Sequence, residues 1–152
     1  MRLATPSGDE LARVPASGPF DVVTGPAERP HVYVALYDPN TVRALSADLS
    51  ATLFDVKPGW TPHTAPIDDE LPVSRGWDPR ALLYEEGADR LWVGHHMNGR
   101  ISRIDLEDLS VDAVFLDETD DPDPTVPQGK PWRVEQLATD GESLFVPHIL
   151  WN

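Results

Sequence analysis

Arg80 to His95 reads RALLYEEGADRLWVGH, and Arg133 to His148 reads RVEQLATDGESLFVPH. Aligned without a gap, the two share a leading Arg, a Gly-bearing turn, an apolar triplet (Leu91-Trp92-Val93 and Leu144-Phe145-Val146) and a closing His. Gly76 and Gly129 each stand four residues before the matched Arg. A fixed-spacing repeat of short apolar runs and tight turns points to a stacked or radial β architecture. It predicts equivalent places for Arg80 and Arg133, and likewise for His95 and His148.

A weaker copy lies upstream. Pro19-Phe20-Asp21-Val22-Val23 leads through GPAERP to Val32-Tyr33-Val34-Ala35, as Pro79 to Leu83 leads to Leu91 to Gly94. Each copy is followed by two more runs rich in β-formers, Thr41 to Leu45 with Ala51 to Val56, and Ile101 to Leu106 with Val111 to Leu116. Asp48-Leu49-Ser50 and Asp108-Leu109-Ser110 mark the same turn between them. Ile101 to Leu106 does not alternate cleanly between apolar and polar, which is how a strand covered on both faces reads. The expected fold is therefore all-β, a partial β-propeller built of four-stranded antiparallel blades with strands lettered A to D from the inside out. Its expected parts are a strand D piece at about 8–14, a blade at about 19–56, an insertion at 57–78, a blade at about 79–116, an acidic loop at 117–132 and an incomplete blade at 133–152. Two full blades cannot close a ring and remove their exposed edges. The chain is thus expected either to be a fragment of a longer propeller or to assemble from several copies.

The runs Arg90-Leu91-Trp92-Val93-Gly94 and Ile101-Ser102-Arg103-Ile104-Asp105 resemble the YVTN-type repeats of bacterial seven-bladed β-propellers. The resemblance spans about residues 8 to 152. It implies a periplasmic or secreted setting, and some members of that family occur beside or fused to di-haem peroxidase-like modules. This chain departs from them in having no haem-attachment motif and no visible export signal.

Formal charge is −14, from 26 acidic and 12 basic residues. Nucleic acid and anionic membrane surfaces call for a positive footprint, so neither is an expected partner. Cysteine is absent, which removes disulfides and thiolate metal sites from consideration. No apolar run approaches the roughly 20 residues of a membrane-spanning helix.

In a propeller the B–C and D–A connections open at the same end. Trp60, Trp77, Trp132, Arg80 and Arg133 are expected there as ligand-binding residues. Loop tryptophans are common recognition anchors, and arginines at the start of the innermost strand can grip an anion in bidentate fashion. The competing reading pairs each Arg with a neighbouring carboxylate, such as Asp78 or Asp105, and has the tryptophans cap the core. His95 and His148, joined by His96 or His63, are candidate ligands for a divalent metal, since imidazole suits zinc, copper, iron or nickel. The competing reading has each strand-end His hydrogen-bond a neighbouring blade. The acidic run Asp117 to Asp123 lacks the spacing of a calcium loop and reads as solvated. No catalytic residue can be named. The leading expectation is non-enzymatic binding of a small-molecule or protein ligand. The alternative is a metal-dependent or redox-associated propeller enzyme with a His-based site.

Overall fold

The computed structural model describes residues 2–4, 6–57, 79–96, 100–115 and 133–149. The described residues are all-β, without a helix. The chain opens with a hairpin of β1 (Arg2–Ala4) and β2 (Glu10–Arg13). Sheet I follows in simple up-and-down order from β3 (Pro19–Thr24), β4 (Val32–Leu36), β5 (Thr41–Leu45) and β6 (Thr52–Val56). Sheet II repeats that order with β7 (Pro79–Glu85), β8 (Arg90–His95), β9 (Arg100–Asp105) and β10 (Val111–Phe115). A second hairpin, III, comes last among the described residues. Its outgoing arm is β11 (Arg133–Val134) then β12 (Ala138–Thr139), and its return arm is β13 (Leu144–Phe145) then β14 (His148–Ile149). Every pairing is antiparallel, and the described sheets form an open row.

Local chemistry sets the turns. Leu49 and Leu109 both adopt φ of 61°, a left-handed conformation that costs a Leu energy unless the turn enforces it. The preceding Asp does so in each case: Asp48 Oδ1 accepts from Ser50 N at 3.0 Å, and Asp108 Oδ1 accepts from Ser110 N at 2.8 Å. The Ser46 and Ser50 hydroxyls also donate to Asp48 Oδ1 at 2.7 and 2.8 Å. These bonds, the one from Ser46 foremost, hold the Asp48 carboxyl down at about 2. Asp108 is lowered for the same reason, by Ser110.

The sheets stack face to face because each is apolar on both faces. From sheet I, Tyr33, Ala35, Val42 and Ala44 meet Leu82, Leu91, Val93 and Ile104 of sheet II, all buried. The alternate residues of β4 and β5, Val34, Leu36 and Leu45, together with Leu49, turn the other way and are covered by Ala12, Val14 and Ala16. Sheet II repeats the device. Leu91 and Val93 face sheet I, while Gly94 faces hairpin III so closely that a Cβ there would collide with the Val134 side chain. Away from that end, Arg29 ties the sheets at their rim. It bonds Asp89 Oδ2 at 2.7 Å and donates to the Leu106 carbonyl at 2.9 Å, while Tyr84 donates to Asp89 Oδ1 at 2.7 Å beside the stacked Tyr33 ring. Burial, followed by that bond to Asp89, pushes the Tyr84 hydroxyl well above the ordinary tyrosine range.

Hairpin III matches its sheet II counterpart with a displaced register. Ala81 pairs with Gly94, but the matched Val134 pairs with His148 rather than with Pro147. Pro147 stands where the first copy has Gly94, and it has no N–H to give to a ladder. The pairing accordingly breaks into two short pieces, and His95 and His148 are equivalent only to within a residue.

Two outcomes are expected. Gly94→Val should cost about 1–3 kcal/mol by overpacking, and amide exchange should show hairpin III losing protection while sheets I and II keep theirs. The second concerns acid. Asp48 titrates at about 2 in the folded chain against an ordinary 3.8, so its contribution is present above pH 3.8 and is lost as pH falls through about 2. The difference in melting temperature between the native chain and Asp48→Ala should therefore shrink over that window. A constant difference would contradict the assignment.

Candidate functional site

Sheets I and II share an irregularity at the start of their first strands. In β3 the register slips between Pro19 and Asp21, and in β7 between Pro79 and Ala81. The extra residues are Phe20 and Arg80. A bulge bends the strand and re-aims the side chain it carries, and the proline before each has no N–H to lose. The two re-aimed side chains meet. The Arg80 guanidinium lies 4.0 Å from the centre of the Phe20 ring and 5.7 Å from that of Tyr37, whose own ring stands 5.5 Å from Phe20. On the other side, Arg80 Nη1 approaches Glu135 Oε2 at 3.6 Å. Arg80 thus bridges three successive units through an aromatic face behind it and a carboxylate ahead.

Glu135 has a second partner, as its Oε1 lies 2.5 Å from Nδ1 of the buried His96. Tyr37 and His96 occupy the same place in their sheets, the residue just past β4 and β8, and each reaches toward the first strand of the next unit. Asp21, beside Phe20, accepts from Val22 N at 2.8 Å and from Leu82 N of sheet II at 2.7 Å, so both carboxylate oxygens are committed to backbone. These side chains border a cavity of about 490 Å³ lined by Phe20, Asp21, Arg80, Leu82, Glu135 to Ala138, and Pro147. Its charged groups are one guanidinium and two carboxylates, each already paired. What remains for a ligand is the exposed Phe20 and Gln136, the apolar Leu82, Leu137 and Pro147, and the outer edge of the guanidinium.

Of the residues expected from sequence, Arg80 lines this cavity. Its carboxylate partner is Glu135, not Asp105. Asp78 and the tryptophans Trp60, Trp77 and Trp132 lie outside the described residues, as do His63 and the acidic run. Arg133 is placed by its backbone alone, paired with Ile149. His95 is fully buried on the face toward sheet I, and its Nε2 hydrogen-bonds Ser102 Oγ at 2.8 Å within its own sheet. His96 points to the opposite face, toward Glu135. His148 pairs with Val134 through the backbone. Among the described residues no three His, Asp or Glu side chains are grouped as a metal-holding set. No helix among them is long and apolar enough to cross a membrane.

Sequence reasoning missed Phe20, Tyr37, Asp21 and Glu135. Phe20 had a signal, since Pro19-Phe20 stands in the repeat where Pro79-Arg80 does. Glu135 had none, because its place in the ladder depends on the displaced register of hairpin III. Comparison with protein-family models and with curated proteins finds no match, so function is read from the chain's own geometry.

A double-mutant cycle checks the clasp. Arg80→Ala and Phe20→Ala, singly and together in urea unfolding, should show a coupling of about 0.5–1 kcal/mol, as for a partly exposed cation–π pair. Additive effects would mean that the stack contributes nothing.

Proposed function

We propose that this chain is a segment of a β-propeller that binds a ligand, without catalysis, at the end where its inner strands begin. The propeller reading is supported by the identical strand order of sheets I and II, by their stacking through both faces, and by the adjacency of their inner strands. The binding reading is carried by one observation. The cavity draws its walls from β3, β7 and hairpin III, and one of the residues lining it is an arginine stacked on an aromatic ring. Its lining is more polar than that of most small-molecule sites, with Asp21, Arg80, Glu135 and Gln136 beside Phe20, Leu82, Leu137 and Pro147. A small molecule or protein loop with a flat apolar body and a polar edge fits it. A bare anion fits less well, because Glu135 and Asp21 already balance the guanidinium.

The test is a residue-resolved NMR titration with benzamide and, separately, benzoate. Benzamide should shift amides of Phe20, Arg80 and Glu135 to Ala138, and Arg80→Ala should abolish those shifts. Benzoate should bind more weakly. Shifts that are absent, or scattered over the surface, would contradict the site.

The alternative, a His-based metal or redox site, has one observation in its favour: the His96 imidazole is held by a carboxylate, as proteins commonly orient a ligating or proton-transferring histidine. Zinc titration by calorimetry distinguishes the readings. Stoichiometric uptake lost in His96→Ala would favour the alternative, and no uptake would favour ligand binding.

A further inference from the structure

We infer that the cavity beside Arg80 receives a small aromatic carboxamide, whose carbonyl oxygen takes the place that the repeat elsewhere fills with the Asp21 carboxylate. The inference rests on the ligand-binding reading above and deepens it by naming the ligand's chemical class.

β3 and β7 are edge strands of their sheets, so alternate N–H groups along each point off the sheet and need an acceptor. One carboxylate serves both strands. Asp21 Oδ1 accepts from Val22 N at 2.8 Å, and Asp21 Oδ2 accepts from Leu82 N at 2.7 Å. These two amides are counterparts, since Val22 follows Pro19 and its bulge as Leu82 follows Pro79 and its bulge. The next amide in the series belongs to Glu135, which the match of Arg133 to Arg80 makes the counterpart of Leu82. The residue placed to serve it is Ala81, the counterpart of Asp21, and a methyl group offers no acceptor. Hairpin III is close enough to be served from there, because Ala81 pairs with Gly94, on which Val134 docks. Among the described residues no acceptor bonds the Glu135 N–H.

Arg80 shows a second unmet demand in the same wall. Glu135 Oε2 stands 3.6 Å from its Nη1, an ion pair beyond hydrogen-bond reach, and its Nε is buried with no acceptor among the described residues. A guanidinium with its full set of donors and a backbone N–H thus border one cavity, and both lack an acceptor. Leaving such donors unmet is costly, so a ligand that brings a strong acceptor gains most.

The remaining lining narrows the class. Asp21 and Glu135 outnumber Arg80, so the acceptor should be a neutral carbonyl rather than a carboxylate. The Glu135 carboxylate and the exposed Gln136 side chain can take the N–H groups of an amide beside that carbonyl. Phe20, Leu82, Leu137 and Pro147 suit a flat apolar body. The volume of about 490 Å³ lies within the usual range of small-molecule sites.

The test compares benzamide with thiobenzamide on the native chain. The two share an outline and their N–H groups, but sulfur accepts weakly where oxygen accepts strongly. Benzamide should bind about tenfold more tightly, as for a hydrogen bond to a charged group. It should also slow exchange of the Glu135 N–H, which in the free chain should exchange faster than those of Val22 and Leu82. Equal affinities, or binding that leaves Glu135 exchange unchanged, would overturn the inference, while shifts at Phe20, Arg80 and Ala138 would leave the ligand site standing. Absence of benzamide shifts at the cavity would remove both. Ala81→Asn supplies an internal carbonyl where Asp21 has one, so it should slow Glu135 exchange without ligand and weaken benzamide binding. A ring-to-ring NOE between Tyr33 and Tyr84, whose centroids lie 6.1 Å apart, reports whether this variant folds. A folded variant with native benzamide affinity would overturn the inference, and if it fails to fold the two native-chain measurements decide.

Discussion

Everything in this molecule depends on sheets that are apolar on both faces. In β4, Tyr33 and Ala35 point one way while Val34 and Leu36 point the other, and all four are buried. A two-faced sheet cannot stand alone in water, since each such side chain left exposed forfeits roughly 1.5–3 kcal/mol. It must be stacked on both sides, and so must each sheet it stacks on. The Arg29–Asp89 pair at the rim is a third exposed and contributes at most about 1 kcal/mol. The stacked faces therefore dominate, and the polar ties adjust their alignment.

Stacking also places the site. Close approach of successive units is possible because small residues stand at the contact, Ala35 in sheet I and Gly94 in sheet II. Once the strands are that near, the side chains re-aimed by the two bulges are forced together. Phe20 and Arg80 meet because the same irregularity occurs in both sheets, and Glu135 meets Arg80 because Gly94 lets hairpin III in. The cavity is thus a consequence of the repeat, and its lining reflects how the repeat departs from itself. Where one unit has an aromatic ring the next has a guanidinium, and where one has Tyr37 the next has His96.

The four-stranded antiparallel sheets were legible in the sequence because their strands are short, rich in β-formers, and separated by Asp- and Gly-bearing turns whose chemistry is local. The two-sided burial of β9 was legible in its lack of clean alternation. The partner of Arg80 was not, because Glu135 is remote in sequence and is brought in by a register that Pro147 displaces. Phe20 looked like another strand residue until its bulge was seen to coincide with that of Arg80. Trp60, Trp77 and Trp132 stood out by size, and they lie outside the described residues. His95 stood out by repetition, and its repeated place is a buried one beside Ser102.

Residue-resolved hydrogen exchange tests the interdependence of the sheets most directly. If two-faced stacking holds the molecule together, amides of β4 and β5 should open with the same free energy as those of β8 and β9, and Ala35→Asp should lower both sets equally. If sheet I kept its protection while sheet II lost it, or the reverse, the sheets would be independent units and the account would be wrong.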